Sequence, residues 1–561
     1  MMSLSDVKML FEFAGGLGMF LYGMNIMATG LQKTAGNKMK QLLGFLTNNR
    51  LLGVVVGALI TAIIQSSSAT TVMVVGFVNA EILNLTQAVG VIMGANIGTT
   101  ITSWLVSMNA ISGDGNVIMS VLKPEFYAPL FFGIGAFLLM FAKKEKKKEV
   151  GEILVGFGVL FIGLNFMSSS VEPYSDSPIF VKAFQLLGGN PVLGILVGAV
   201  VTALIQSSSA SVGILQTLAM NKLVNWQAAV FITLGQNIGT CVTAFLSGIG
   251  AHKTAKRASI IHLIFNVVGA VIFGAAMWVV FLVNKEFAAS SISSFQISVF
   301  HTIFNITNTL LLFPFADYLV KLSEIIIKDE DKDEEKEEDF LTEIKNHLDE
   351  RMLESPSFAV EAAVHAVVYM GKFTLENAKR AMSAVLNNDA EKAKKVFQDE
   401  TLINEFTKLL TTYLVKIDNL ALTEKQHFVV KNLLYTINDI ERIGDHSENL
   451  AELAEEKMEQ EAMFSKTAYE DLKVIMEEVT NSVCYAIESR EKESLECVRT
   501  VTKCEDKVDE LEEELHEKHL QRLSTNECTA ETGVLFLDVI SNLERISDHA
   551  LNIAGYVQDE V

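Results

Sequence analysis

The sequence predicts an all-α protein: a polytopic membrane domain with inverted repeats and two re-entrant hairpins, followed by a cytoplasmic helical bundle. Three observations predict it. Apolar stretches of about 18–25 residues, long enough to cross a bilayer, fill the first 320 residues. A block at 52–71 returns at 193–212. Residues 355–561 keep a helical periodicity with few Gly or Pro.

Composition divides the chain in the same place. The 561 residues carry a formal net charge of −22, unevenly spread. Residues 1–320 hold 17 Lys and Arg against 12 Asp and Glu, whereas 321–561 hold 28 against 55. The five cysteines contain no CxxC pair and are expected as free thiols in a reducing compartment. The first residues, MMSLSDVKMLFEFAGGLGMF, lack a cationic leader and a cleavage signal, so they read as a first membrane helix.

The apolar segments fall at about 9–30, 51–80, 84–108, 126–142, 150–169, 191–219, 225–248, 258–283 and 297–320. Orientation follows from basic residues in short loops. Loop 31–50 carries Lys33, Lys38, Lys40 and Arg50; loop 143–149 reads KKEKKKE; loop 249–257 carries Lys253, Lys256 and Arg257. The intervening loops hold Lys123, Lys182 and Lys285 alone. For the basic loops to share one face, 51–80 and 191–219 must each enter and leave on the same side. That makes each a re-entrant hairpin and leaves seven full spans, the N-terminus outside and the C-terminal half cytoplasmic. Irregular backbone at membrane depth needs protein or a wet cavity around it.

The repeat gives the hairpins a partner relation. LGVVVGALITAIIQSSSATT (52–71) aligns with LGILVGAVVTALIQSSSASV (193–212) at an offset of 141, with more than half the positions identical. GANIGTTIT (94–102) meets GQNIGTCVT (235–243) at the same offset, and GLGMFLYGMNIM (16–27) meets GFGVLFIGLNFM (156–167) at 140. Repeat 1 spans about 9–142 and repeat 2 about 150–283, with a final span at 297–320. The charge rule runs the two copies in opposite senses. Inverted repeats with broken helices at mid-membrane are the architecture of secondary transporters, with sites where the repeats meet.

The polar residues at the hairpin tips are the candidate site. A half-helix starting near Ser66, Ser67 and Ser68 presents unpaired N–H groups and a positive dipole end, and the serine hydroxyls add donors. Ser207, Ser208 and Ser209 repeat the arrangement. This is an anion site without a fixed cation. Gln65 and Gln206, with the hydroxyls of Thr61 and Thr202 and unwound carbonyls, offer oxygen ligands for Na⁺. Asn96, Thr99, Asn237 and Thr240 are the other duplicated polar residues, with glycines beside them. The competing reading is that small and polar residues merely glue helices together; it suits one isolated serine better than a duplicated QSSS. HLIFN (262–266) and HTIFN (301–305) form a second echo, read either as functional histidines or as packing ones.

Paired QSSS motifs, each followed by NIGT, resemble the sodium-dependent phosphate cotransporter family, the bacterial relatives of the type II renal and intestinal transporters. The resemblance covers roughly residues 10–320. It implies Na⁺-coupled transport of inorganic phosphate, with Gln65–Ser68 and Gln206–Ser209 at the central site. Some bacterial members are associated with phosphate export, so direction stays open.

The acidic half begins with a charge run, KDEDKDEEKEED (328–339), read as part of a solvated linker at 321–354. It then repeats internally: LLYTINDIERIGDHSENLA (433–451) aligns with FLDVISNLERISDHALNIA (536–554), which predicts two three-helix units. Glu441 and Asp445, and Glu544 and Asp548, lie one turn apart on a helix face, beside Arg442, Arg545, His446 and His549. Like charges at that spacing repel unless a cation intervenes, so the face reads as a metal site or as an ion-pair network. Residues 355–561 resemble a PhoU-like domain, a two-repeat helical regulator of phosphate uptake whose E-x-x-x-D motifs can hold divalent or iron-type metal. Glu505 and Asp509 match a further motif; the counterpart Glu400…Asn404 departs from it.

The expected function is Na⁺-coupled phosphate movement across the cytoplasmic membrane, regulated by the C-terminal domain. The alternative is a passive oxyanion channel or a phosphate sensor. An enzyme is not expected, because no nucleophile–base pair or nucleotide-binding loop is present. Expected partners are inorganic phosphate, membrane lipid, a second copy of the chain and a cytoplasmic regulatory protein, with no nucleic acid.

Overall fold

Several helices begin at side-chain caps, and these caps recur with the repeat. Asn49, Ser66 and Asn84 each start a helix, and so do Asn190, Ser207 and Asn225, 141 positions later. The computed structural model describes residues 4–44, 49–80, 82–110, 123–174, 182, 184, 186–187, 189–328, 348–525 and 527–561. Residues 329–339 of the charge run and most of the linker at 321–354 lie outside the described residues. No strand occurs among the described residues. The chain divides into two units, residues 1–334 with 349–358, and 335–348 with 359–561.

The first unit contains α1 (Leu4–Gly44), α2 (Arg50–Ile64), α3 (Ser67–Asn79), α4 (Leu85–Gly98), α5 (Thr100–Ser107), α6 (Pro124–Phe141) and α7 (Glu145–Val171). It continues with α8 (Pro191–Ile205), α9 (Ser208–Met220), α10 (Trp226–Ser247), α11 (Lys253–Val283), the short α12 (Lys285–Ala289), α13 (Ser294–Leu312) and α14 (Ala316–Ile326). Among the described residues, six helical segments here are long and apolar enough to cross a membrane: Val7–Ala35, Leu85–Ser107, Pro124–Phe141, Glu145–Val171, Trp226–Ser247 and Lys253–Val283. The expected last span, 297–320, is instead two helices. α13 stops at Leu312, and a 3₁₀ turn at Phe313–Phe315 around Pro314 precedes α14, because proline interrupts the hydrogen-bond ladder. α2, α3 and α8 have 15, 13 and 15 residues. At 1.5 Å per residue each falls short of a hydrocarbon core of about 30 Å.

Glycines set the packing. α1 and α7, which carry the 16–27 and 156–167 segments of the repeat, run antiparallel. A Cβ at Gly16 would strike the Gly163 carbonyl, and one at Gly23 the Gly156 carbonyl. The two backbones therefore approach as only side-chain-free residues allow. The second seam occurs twice. Gly57, Gly94 and Gly98 bring α2 against α4, and Gly198, Gly235 and Gly239 bring α8 against α10. Phe20, Leu160, Phe161 and Leu164 fill one core cluster, and Phe231, Leu234, Phe281 and Phe304 another. Beyond the charge run, residues 349–358 return to this unit. Asp349 accepts a hydrogen bond from Asn79 Nδ2 at 2.9 Å, and Phe358 meets Phe77 edge-on at 5.4 Å.

The second unit holds most of α15 (Pro356–Asn387), then α16 (Ala390–Asp418), α17 (Glu424–Glu459), α18 (Lys466–Lys492), α19 (Leu495–Ser524) and α20 (Ala530–Glu560). α18, α19 and α20 pack on one another, α16 packs on α17, and α17 packs on α20. The sequence reading expects no apolar stretch of spanning length after residue 320. α15 reaches that length and apolarity. Its charges, such as Glu361 and Lys372, are spaced so that one face stays apolar, and that face is buried.

Candidate functional site

Both hairpin tips are built alike. α2 ends at Ile64, and Gln65 takes a left-handed backbone, φ 57°, with its N–H closed onto the Thr61 carbonyl. Gln206 does the same at φ 56° onto Thr202. A residue with a Cβ is strained there, and this reversal turns the chain. Ser66 and Ser207 follow in extended conformation, their hydroxyls accepting from Ala69 N and Ala210 N at 3.1 and 3.2 Å. A cap on the third amide leaves over the N–H groups of the first two residues, Ser67 and Ser68 in one copy and Ser208 and Ser209 in the other. One turn behind the tips, Thr61 Oγ1 donates to Thr70 Oγ1 at 3.0 Å and Thr202 Oγ1 to Ser211 Oγ at 2.8 Å. These bonds close each hairpin.

The two tips touch. Ser67 Oγ and Ser208 Oγ stand 3.3 Å apart, both residues buried. Two helix N-termini thus converge, and none of the tip residues is basic. Such a point favours an anion through amides, hydroxyls and dipoles.

The coverage of the tips differs. Gln65 is 6 % exposed; its Oε1 accepts from Thr102 Oγ1 at 3.0 Å and its Nε2 donates to the Ala62 carbonyl at 2.5 Å. Gln206 is exposed. Of the NIGT residues, Asn96, Thr99 and Thr240 donate to carbonyls of their own helices, those of Ile92, Ala95 and Gln236. Asn237 reaches further: its Nδ2 donates to Asn305 Oδ1 at 2.9 Å and its Oδ1 accepts from His301 Nε2 at 3.1 Å. His301 is therefore joined to the NIGT of the second copy. His262 is buried on α11, where its carbonyl accepts from Asn266 Nδ2.

Sequence reasoning missed three contributors. Thr102 had a signal, since it and Thr243 are the last residues of the paired GTTIT and GTCVT segments. Gln216 had none, because its counterpart is Val75. Its amide lies within 3.1 Å of Ser103 Oγ, Ser103 O and Ser298 Oγ, tying α9 to α5 and α13. Trp104 Nε1 adds a 2.8 Å bond to Thr302 Oγ1.

In the second unit the predicted carboxylates gather by copy. Glu400 of α16 is only 2 % exposed and faces Asp445, Glu448 and Glu441 of α17; burial first and these charges next push its carboxyl up to about 8. Burial, then neighbouring carboxylates that include Asp548, likewise raises Glu505 and Asp509. Arg442 bonds Asp445 at 2.8 Å and Arg545 lies 3.9 Å from Asp548. Such carboxylates are the right chemistry for a hard divalent cation. Among the described residues no three His, Cys, Asp or Glu side chains are arranged to hold a metal ion; Arg442 and Arg545 also lie within 3.9 Å of Glu441 and Glu544. His446 and His549 bond Asn542 and Asp439 at 2.9 and 2.7 Å and stack on each other.

Comparison with known proteins gives the following matches. The family model described as Na+/Pi-cotransporter covers residues 19–169 and 177–307, and that of the PhoU domain covers 367–454 and 472–557. A protein of Escherichia coli K12 named "Putative inorganic phosphate export protein YjbB" is 21 % identical over 98 % of both chains. The human sodium-dependent phosphate transport protein 2B is 38 % identical over 96 residues, 17 % of this chain and 14 % of that one. The crystal structure of PhoU from Pseudomonas aeruginosa aligns with 36 % of this chain and 97 % of its own, at 20 % identity and a TM-score of 0.34.

Proposed function

Because the chain belongs to the Na+/Pi-cotransporter family, we propose that it is a secondary active transporter that couples Na⁺ to the movement of inorganic phosphate. The observation that carries this is the 3.3 Å approach of Ser67 and Ser208. Phosphate binds between the tips, on the leftover amides and the hydroxyls of Ser67, Ser68, Ser208 and Ser209. Na⁺ takes oxygens from Gln65, Gln206, Thr61, Thr202 and the carbonyls around them, with Asn96, Thr99, Asn237 and Thr240 in support. A neutral site of this kind needs the cation's charge to hold a dianion, which is the physical basis of coupling.

Residues 1–320 act as the transport domain and 355–561, which carry a PhoU domain, as its cytoplasmic regulator, joined by 321–354. The inverted, re-entrant arrangement is supported by the antiparallel glycine seam between α1 and α7 and by the shortness of α2, α3 and α8. Access alternates by rocking of the repeat elements around the fixed tips, with the N-terminus outside.

The test is radiolabelled phosphate flux in proteoliposomes under Na⁺ gradients of both signs. Accumulation should follow the Na⁺ gradient and saturate. Flux that is unchanged when choline replaces Na⁺ would overturn the coupling, and flux that never saturates would favour a channel. Comparing the two gradient signs also separates uptake from the export named for the Escherichia coli relative.

A further inference from the structure

The two copies of the site are chemically matched but not in the same state. In the first, Thr102 Oγ1 donates to Gln65 Oε1. In the second, the matching residue Thr243 donates instead to the Thr240 carbonyl of its own helix at 2.9 Å, and Gln206 is exposed. A second difference accompanies this one. The helix that carries Thr102 is interrupted at Thr99, where α4 ends and α5 begins with ψ −28°, whereas α10 runs unbroken past Thr240 to Ser247. Thr99 keeps right-handed helical angles and its N–H still reaches the Ala95 carbonyl at 3.1 Å, so the break is a single-residue turn between two α-helices.

We propose that Thr102 and Thr243 are positioning residues whose bonds to the tip glutamines are made alternately in the transport cycle. This rests on the alternating-access reading above. In the arrangement described, the step at Thr99 brings Thr102 onto Gln65, and the first tip is covered. In the opposite arrangement α10 steps at Thr240, Thr243 leaves the Thr240 carbonyl and takes Gln206. The first helix straightens, and Thr102 turns onto the Thr99 carbonyl. Threonine suits the task. In a helix its side chain divides between two rotamers because the hydroxyl can bond a carbonyl of the preceding turn. The hydroxyl therefore keeps a partner in either arrangement, and the exchange strands no buried donor. Only the glutamine oxygen gains or loses a bond, so each tip offers a free oxygen to a cation when uncovered and a satisfied one when covered.

The test uses the full-length chain with Cys484, Cys497, Cys504 and Cys528 changed to Ser, while the buried Cys241 is kept. One protein adds Gln65→Cys with Thr102→Cys, the other Gln206→Cys with Thr243→Cys. Each is treated in membranes with a short bis-methanethiosulfonate, and links are read by peptide mass spectrometry. Both pairs should cross-link. In the Gln206→Cys, Thr243→Cys protein, an added Thr102→Val should speed linking about fivefold, the worth of one net hydrogen bond, and Thr102→Ser should not. Valine matches threonine in shape, so a purely packing role predicts that Thr102→Val leaves the rate of the parent pair unchanged. Failure of the 206–243 pair to link, or equal rates for Val and Ser, overturns the proposal. Flux is read in the parent with the four Cys→Ser changes alone, which keeps both glutamines: both links formed while that parent shows no Na⁺-driven flux would remove the transport reading and leave the exchange. Flux with only the 65–102 link would do the reverse.

Discussion

Ser67 and Ser208 stand 141 residues apart in the chain and meet hydroxyl to hydroxyl at 3.3 Å. They are the same residue of the two copies. Their contact is where the two QSSS segments meet.

Changing both Ser67→Ala and Ser208→Ala is expected to abolish Na⁺-driven phosphate flux while the protein stays monodisperse. Each single change should weaken apparent phosphate affinity about 10-fold or more, since hydrogen bonds to charged groups contribute about 1.5–3 kcal/mol. Flux assays with a phosphate titration check this; unchanged affinity in the double variant would remove the serines from the site.

The glycine seam predicts a stability effect at a place without ligand chemistry. Gly156→Val puts a Cβ onto the Gly23 carbonyl and Met27 amide, while Gly18→Val meets open space. The first should destabilise by about 1–3 kcal/mol, as overpacking does, and the second hardly at all. Thermal melts in detergent compare them.

In the second unit, Glu400 gives stability a pH dependence. Its folded-state carboxyl sits at about 8, above the ordinary 4.5. A raised carboxyl favours the folded state while protonated, so its contribution is full below about pH 4.5 and is lost as pH rises towards 8. Glu400→Gln should flatten this window and protect α16 and α17 at pH 8.5 by at least on the order of 1 kcal/mol. Hydrogen exchange of the full-length protein, corrected for intrinsic rates, measures it. Loss of protection in the variant at pH 8.5 would contradict the assignment.

Asp349→Ala removes the partner of Asn79 Nδ2, whose Oδ1 accepts from His252 N. Breaking this buried link should cost about 1–3 kcal/mol locally. Faster hydrogen exchange at 348–355 with unchanged exchange at α6 is the expected pattern.

What repeats was legible in the sequence. The QSSS tips, the cap residues and the glycine seams each occur twice, and the physical demand of a turn or a close approach keeps the same residue type at both places. What occurs once was not. Gln216, Ser103 and Ser298 cross-link three helices without an echo, and sequence periodicity carries no information on which distant hydroxyl an amide finds. The break of the expected last span at Pro314 needed one proline to outweigh the apolar residues around it. The difference between Gln65 and Gln206 was invisible in principle, because identical motifs occupy different states.

The left-handed glutamines set stability and function against each other at a single atom position. Glycine at 65 or 206 would relieve backbone strain of order 1 kcal/mol, but it would delete the side-chain oxygen. Selection or design aimed only at a more robust fold would therefore drift towards glycine at these two positions and disarm the protein while improving its melting temperature. Any stabilised variant of this chain should be screened with both glutamines held fixed.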